Sequence, residues 1–244
     1  MPVGRNLQAE LVHDGDTTIG RERVRVRHPD GRVQELRLHD YEALYALPGV
    51  YEQIVHDRLG CCSPAEVAAL LAETVDALGW DRHGVRVIDI AAGNGISGEA
   101  LAAAGLHPVL GSDLVKAARA AALRDRPGVY DQYLTLDLLA LTEADRAAIR
   151  ELNANVLSCV APVGEHSVPA EALAAAAALL GPDALVAYLH DVDIVDVDPV
   201  TADLWGAGAD AKEIARRRYV HRRTVSGDPY HMEAVVWRVR NQAQ

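Results

Sequence analysis

The sequence predicts an α/β protein with a doubly wound, mostly parallel sheet, a C-terminal antiparallel hairpin, and an N-terminal β-hairpin followed by a helical segment. Short apolar runs alternate with helical segments from residue 85 onward, a pattern typical of βαβ units. A glycine-rich turn joins the first run to the first of these helices. Two long alternating runs close the chain around a short turn, which predicts the C-terminal hairpin.

The N-terminal hairpin is predicted over residues 21–38, where valine and leucine alternate with arginine on both sides of a turn. Pro29 and Gly31 stand at the second and fourth positions of that turn, as a type I turn favours. The arginines of one face can bind an acidic ligand, but alternating charge on a two-stranded ribbon is ordinarily its solvated side. We favour the solvated face.

The segment after the hairpin predicts three helices. Residues 40–59 form two short ones that break at Pro48 and Gly49. A capping box over residues 63–66, with proline at the first helical position, opens a longer helix that ends near Gly79. A boundary follows, so we divide the chain into an N-terminal segment, 1–80, and a core domain, 81–244.

The core domain predicts at least five strands. The apolar runs that predict parallel strands are residues 85–90, 107–113, 155–160 and 184–190, and the helical segments between them include 95–104, 114–124 and 170–180. Residues 226–229 form the turn of the terminal hairpin.

Composition excludes several classes of function. The net charge is −11 and the isoelectric point is near 5.3, the wrong sign for a surface that follows nucleic-acid phosphates. No uncharged stretch is long enough to span a bilayer, so we expect no membrane partner. Three cysteines do not make a disulfide framework, and no cysteine or histidine pair has zinc-ligand spacing. We therefore expect a cytoplasmic protein without a metal.

The most informative string is the glycine-rich turn in residues 87–101. Gly93, Gly95 and Gly98 satisfy the pattern G-x-G-x-x-G between a strand and a helix. Glycine permits the tight turn and lets a ligand approach the backbone, while the start of the helix offers unpaired N–H groups. A tight turn without a ligand is the competing interpretation.

Acidic residues mark the ends of three successive strands. Asp89 lies in the strand before the turn, where it favours a cationic or amine-bearing ligand over a pyrophosphate. Asp113 ends the next strand, where a carboxylate can accept hydrogen bonds from ribose hydroxyls. Asp137 follows the third candidate strand. These residues predict one ligand lying across the carboxyl edge of the sheet.

With these features in this order, the chain resembles the class I S-adenosylmethionine-dependent methyltransferases over roughly residues 85–240. The resemblance implies a Rossmann-like fold, in which the N-terminal helical segment acts as a lid. It also implies S-adenosylmethionine as the cofactor, with Asp89 and the loop at its methionine part, Asp113 at the ribose and Asp137 at the adenine. The full set of cofactor residues it implies is Asp89, Ala91, Gly93, Gly95, Asp113, Leu114, Asp137 and Leu138.

Two departures from the family's pattern bear on the substrate. Ala91 stands where the family usually has the first glycine of the loop, and its methyl group narrows the approach to the cofactor. Residues 158–169 lack the Asn-or-Asp, Pro-Pro, aromatic tetrad of many nucleic-acid and protein amide methylases. A small-molecule acceptor is therefore favoured.

Methyl transfer needs alignment of nucleophile, methyl and sulfur, with a base only where the acceptor must lose a proton. His166 is the candidate base, since it follows the fourth parallel strand. The candidate residues for binding the methyl acceptor are Glu165, His190, Tyr51 and His56. The competing interpretation of His166 is a loop histidine hydrogen-bonded to backbone, and that of His190 is a solvated strand end. Tyr51 can instead be an aromatic side chain that fills the core.

Two other functions stay open on the sequence alone. A nicotinamide-dependent oxidoreductase also has G-x-G-x-x-G followed by an acidic residue. A non-catalytic cofactor-binding protein would account for Ala91 and the missing tetrad. The edges of the first hairpin allow a homodimer.

Overall fold

The computed structural model describes residues 7–164, 167–195, 197–205 and 210–240. They form two sheets, one of three antiparallel strands and one of seven strands. The predicted fold class is confirmed. Within the described part of the chain, no helix is long and apolar enough to cross a membrane.

The small sheet consists of β1 (Gln8–Leu11), β2 (Arg23–Arg27) and β3 (Val33–Arg37). Strands β2 and β3 are the predicted hairpin, and β1 pairs with β2 as an additional antiparallel strand. A four-residue strand carries too short an alternation to be found from sequence. On the exposed face Arg23 and Arg25 both bond to the Glu35 carboxylate, which supports the solvated interpretation of the arginine face.

Two short helices follow, α1 (Tyr41–Ala46) and a π-helix over Glu52–Arg58. Both were predicted as helices, and the second differs in having the wider π turn. They share one hydrophobic core with the small sheet. Its buried members include Val24, Val26, Leu44, Val50 and Ile54.

Helix α2 (Ser63–Ala77) begins where the sequence places it, but the predicted capping box is wrong. No side chain caps its first turn. The Ser63 hydroxyl instead shares hydrogen bonds with the Tyr219 hydroxyl at 2.6 Å and with His221 Nδ1 at 2.5 Å. These partners belong to a distant strand, which the local motif does not reveal.

The large sheet has the order β6-β5-β4-β7-β8-β10-β9. The first five strands in this order are parallel, and β10 and β9 add the predicted antiparallel hairpin. The strands are β4 (Arg86–Ile90), β5 (His107–Asp113), β6 (Gln132–Thr135), β7 (Val156–Pro162), β8 (Asp183–His190), β9 (Asp210–Arg223) and β10 (Pro229–Arg240).

Helices cover both faces of this sheet, which is why its central strands are apolar on both sides. Val87 packs on one face with helices α2 and α3, and Ile88 packs on the other with α5 and α6. Helix α4 packs against β5 and β6. The bounds of these helices are α3 (Ile96–Ala103), α4 (Lys116–Asp125), α5 (Glu143–Glu151) and α6 (Ala170–Ala177).

A buried ion pair joins the small sheet region to the C-terminal hairpin. Glu22, just before β2, accepts a hydrogen bond of 2.5 Å from Arg222 of β9. The two side chains are 0% and 5% exposed, and the Arg222 guanidinium also lies over the Tyr230 ring. Removing one partner from such a pair leaves a buried charge without compensation.

We predict that Glu22→Gln lowers the free energy of unfolding by about 3–5 kcal/mol, because Arg222 loses its counter-charge. The double variant Glu22→Leu/Arg222→Met, which removes both charges, should recover most of that loss. Urea unfolding of the three proteins measures this. A double variant less stable than Glu22→Gln would contradict the account.

Candidate functional site

The site is built around the turn between β4 and α3. Ala91, Gly93 and Gly95 all have positive φ, at 51°, 53° and 84°. The Asp113 carboxylate lies beside this turn: its Oδ2 accepts a hydrogen bond of 2.9 Å from the Gly93 N–H, and its Oδ1 accepts one of 2.9 Å from the Val115 N–H. Burial raises the pKa of Asp113, and these backbone donors oppose the rise.

Asp89 lies beneath the turn and is 0% exposed. Its Oδ2 accepts hydrogen bonds from the Ser97 hydroxyl at 2.5 Å and from the Tyr130 hydroxyl at 2.7 Å. Burial raises the pKa of Asp89 to about 6, against the opposing effect of these two hydrogen bonds. The Asp89 carboxyl group therefore joins Ser97, in the first turn of α3, to Tyr130.

The third glycine of the motif serves a packing role. Gly98 lies in α3 against the Tyr130 ring, and a Cβ atom there would come within 2.6 Å of Tyr130 Cε1. Gly111 of β5 meets the same ring, where a Cβ atom would lie 2.8 Å from Cε2. Both glycines make room for the tyrosine that bonds Asp89.

Two further tyrosines contact Gly93. The Tyr133 hydroxyl donates a hydrogen bond of 2.6 Å to the Gly93 carbonyl. Tyr45 of α1 lies against the other side of the glycine, where a Cβ atom at Gly93 would overlap its hydroxyl and lie 3.1 Å from its Cζ. Burial raises the pKa of Tyr45 well above its usual range, so its phenol is neutral at physiological pH.

The remaining predicted cofactor residues, Asp137, Leu138 and Leu114, are not part of this buried group. Asp137, just after β6, is exposed, and its Oδ1 accepts a hydrogen bond of 3.0 Å from the Leu139 N–H. Leu138 is partly buried against the main core, whereas Leu114 is 69% exposed. The Asp137 carboxylate and the Leu114 side chain are thus open to solvent.

The candidate residues of the N-terminal segment, Tyr51 and His56, pack in a row behind Tyr45. The Tyr51 ring centroid is 5.0 Å from that of Tyr45 and 6.0 Å from that of His56. His56 Nδ1 donates a hydrogen bond of 3.0 Å to the Cys61 carbonyl, and burial lowers the pKa of His56. Tyr51 therefore packs with Tyr45, and His56 lies behind it.

His190 at the end of β8 is buried, and its Nε2 donates a hydrogen bond of 3.1 Å to the Val195 carbonyl. Its Nδ1 lies 3.7 Å from Glu233 Oε2 and has no hydrogen-bond partner. The histidine therefore belongs to a polar cluster of the hairpin. Glu165 and the predicted base His166 lie outside the described residues.

Sequence reasoning missed the residues that hold the turn from other elements: Ser97, Tyr130, Tyr133 and Tyr45. Ser97 carries a signal, since the first turn of a helix after a glycine loop lies close to the preceding strand. The three tyrosines carry none, because they lie in α1 and in the chain at β6, which reach the turn only through tertiary packing.

No protein-family model and no curated protein matches the sequence. Among solved structures, the chain is similar to an S-adenosylmethionine-dependent methyltransferase from Anabaena variabilis, with a TM-score of 0.52 and 16% identity over 85% of this chain and 96% of that one. It is also similar to a protein from Thermoplasma acidophilum, with a TM-score of 0.50 and 18% identity over 85% of this chain and 98% of that one. At these identities the likeness shows the fold alone, which this chain shares with both of these proteins.

The buried Asp89 makes stability depend on pH. Its pKa is raised in the folded state, to about 6. The stabilisation that the protonated Asp89 gives the folded state is therefore fully present below about pH 4, and it is lost as pH rises from there to about 6. We predict that the free energy of unfolding of Asp89→Asn increases relative to that of wild type, by up to about 3 kcal/mol, as pH rises across this window.

Chemical denaturation at a series of pH values measures the effect. Ser97→Ala serves as the opposing variant: it removes a donor that favours the charged carboxylate, so its deficit relative to wild type should grow as pH rises. A stability difference between Asp89→Asn and wild type that stays constant across the window would refute the assignment.

The packing role of Gly98 is testable separately. Gly98→Ala should destabilise the protein by about 1–3 kcal/mol, because its methyl group displaces Tyr130 from Asp89. Gly84→Ala is the matched control, since a Cβ atom there meets nothing within 4 Å. Thermal unfolding should show a loss only for the first variant, and an equal response of both would contradict the packing role.

Proposed function

We propose that the protein transfers the methyl group of S-adenosylmethionine to a small-molecule acceptor. The observation that carries this proposal is the Asp113 carboxylate at the end of β5, held beside the Gly93 N–H at 2.9 Å. A carboxylate in this position of an open α/β sheet suits the two hydroxyls of a ribose. The methyltransferase fold supports the choice of cofactor.

The residues present fit this cofactor. Gly93 and Gly95 have left-handed backbone and no side chain, so these two residues place no side chain of their own between the backbone of the turn and a ligand. In the proposal Asp113 binds the ribose, Asp137 with Leu138 lies at the adenine, and Ala91 lines the methionine side together with the two glycines. Leu114, next to Asp113, is a further proposed cofactor residue. When bound, the cofactor supplies a methyl group on a positively charged sulfur, which a nucleophile takes by in-line displacement.

Asp89 has a supporting role in this proposal. It lies under the turn and is 0% exposed, so it does not contact the ligand itself. Its role is to hold Ser97 and, through Ser97, the backbone of the turn that the ligand contacts. Where the acceptor carries a proton that it must lose, His166 is the proposed base and Glu165 an acceptor residue. Tyr51, His56 and His190 are the other proposed acceptor residues.

A small-molecule acceptor agrees with two features of the chain. The net charge of −11 opposes association with nucleic acid. Residues 158–169 lack the tetrad of many nucleic-acid and protein amide methylases. The fold itself does not select the acceptor, because one fold carries many substrates.

We also propose a cytoplasmic location and a division into an N-terminal segment, 1–80, and a methyltransferase domain, 81–244. The cysteines Cys61, Cys62 and Cys159 are all free thiols, as a reducing compartment favours. A homodimer through the small sheet is the proposed assembly.

Calorimetric titration with S-adenosylhomocysteine, the demethylated cofactor, tests the function. We expect wild type to bind with micromolar affinity and Asp113→Ala to bind about 10- to 100-fold more weakly, because a charged acceptor of ribose hydrogen bonds is lost. Asp131→Ala is the matched control, since this exposed carboxylate lies next to the start of β6, at the opposite edge of the sheet.

Three outcomes separate the candidate functions. Loss of binding in Asp113→Ala alone supports the proposal. Absence of binding in every protein, together with a rise in Tm on adding NAD, would favour the nicotinamide oxidoreductase instead. Cofactor binding without turnover across a broad set of small acceptors would favour a non-catalytic binding protein.

A further inference from the structure

A cavity of about 420 Å³ lies at the end of the small sheet, and none of its lining residues belongs to the glycine turn. It is lined by Asp16, Gly20, Arg21, Arg23 and Arg37. Three guanidinium groups thus border one space with a single lining carboxylate, in a protein whose net charge is −11. We call this space the arginine cavity. Its positive lining makes it a candidate site for an anion.

Strands β2 and β3 place two of these arginines opposite each other. In the register of the sheet, Arg23 is the cross-strand partner of Arg37. Two residues along the strand the partners carry opposite charges, Arg25 and Glu35. Like charges directly opposite each other destabilise an antiparallel pair. The Arg23–Arg37 pair therefore costs stability, and an anion bound between the two guanidinium groups would offset that cost.

Arg37 differs from its neighbours in having no partner for its side chain. Arg23 donates a hydrogen bond of 3.1 Å to the Glu35 carboxylate and one of 2.7 Å to the Asp14 carbonyl. The exposed Arg37 guanidinium makes no ion pair and no hydrogen bond within the described part of the chain. Glu35 thus accounts for Arg23 and Arg25 on this face, whereas the N–H donors of Arg37 are free to bind a ligand.

Arg21 has a partner that an anion can replace. Its guanidinium lies 3.2 Å from Asp16 Oδ2, and the two side chains are 74% and 49% exposed. Ion pairs as exposed as this one contribute little to stability. The Asp16 side chain is also held by its other oxygen, since Oδ1 accepts a hydrogen bond of 3.0 Å from the Thr18 N–H. Asp16 can therefore release Arg21 without losing its contact with the loop.

The loop that forms one wall of the arginine cavity is held from the interior. Oε2 of the buried Glu22 accepts a hydrogen bond of 2.7 Å from the Gly20 N–H, while Oε1 accepts from Arg222. The Arg21 N–H donates a hydrogen bond of 2.8 Å to the Thr18 carbonyl and closes the turn before it. The backbone of this wall is thus in place before a ligand binds, which lowers the entropic cost of binding.

We propose that the arginine cavity binds the phosphate group of a small molecule. Arg37 supplies the free guanidinium, and Arg21 exchanges the Asp16 carboxylate for the phosphate. Arginine binds phosphate and carboxylate through parallel N–H donors. A tetrahedral phosphate suits guanidinium groups that come from a loop and from two strands, because its oxygens point in several directions. The site shares no residue with the proposed cofactor site, so it does not depend on the proposed function.

The test titrates the full chain with inorganic phosphate at constant ionic strength, which separates binding at a site from general screening. Heteronuclear NMR spectra report the backbone amides and the arginine side chains. The proteins compared are wild type, Arg37→Gln and Arg32→Gln. Arg32→Gln is the matched control, because it removes an exposed arginine of the same hairpin that is bonded at 2.7 Å to Asp30.

We expect saturable shifts at the residues of the arginine cavity in wild type and in Arg32→Gln, and binding about tenfold weaker or more in Arg37→Gln. Without phosphate, urea unfolding should show Arg37→Gln at least as stable as wild type, because the repulsion across the strands is relieved. Asp16→Asn should bind phosphate several-fold more tightly, since asparagine keeps an oxygen for Thr18 but no longer holds Arg21 by its charge.

Three results would overturn the proposal. The first is absence of saturable binding by wild type, and the second is an equal loss of affinity in Arg32→Gln and Arg37→Gln. The third is a destabilised Arg37→Gln with unchanged phosphate affinity, which would make Arg37 a structural residue. Acetate binding as tightly as phosphate would overturn the preference for phosphate.

Glycerol phosphate, titrated in the same way, distinguishes the two sources of the anion. Tighter binding than that of inorganic phosphate supports a phosphorylated organic ligand, and equal binding supports free phosphate.

Discussion

The site depends on a carboxyl group buried inside the sheet. Asp89 has no exposure to water, so it needs donors from the protein, and the hydroxyls of Ser97 and Tyr130 supply them. Through Ser97 the carboxyl group is bonded to the first turn of α3, and through Tyr130 it is bonded to the chain just before β6. Because the Tyr130 ring must reach Asp89, side chains are excluded at Gly98 and Gly111. One buried carboxyl group thus accounts for glycine at two positions.

The backbone of Gly93 is held from two sides. Asp113 accepts from its N–H and Tyr133 donates to its carbonyl, so both polar groups of this residue are already satisfied within the protein. At Gly93 the turn therefore offers a ligand no free backbone donor, and Tyr45 covers the face that the missing side chain leaves open. In the proposed function recognition falls instead to the Asp113 carboxylate, which has lone pairs beyond the two backbone donors it binds.

The sequence predicted the sheet, its hairpin, the glycine turn and the strand-end positions of Asp89 and Asp113. Hydrophobic periodicity and motif spacing reveal these features because they depend on residues within one element or in elements that are neighbours along the chain. It did not predict that Tyr45 covers the turn, since that contact needs the packing of α1 on α4. The capping box at Ser63 failed for the same reason: a distant strand offered its hydroxyl better partners. Local rules yield to tertiary contacts where elements meet.

The departure at Ala91 follows from how the turn is held. A left-handed alanine, with φ at 51°, costs roughly 1–2 kcal/mol. The next two amides bond to the end of β5, Ala92 to the Ser112 carbonyl at 3.0 Å and Gly93 to Asp113, so the path of the turn is fixed from that strand. Alanine also restricts the unfolded chain more than glycine, which offsets part of the strain. The backbone of the turn therefore keeps its conformation with a methyl group at Ala91. The alanine reduces the space beside the turn and does not change the direction of the backbone.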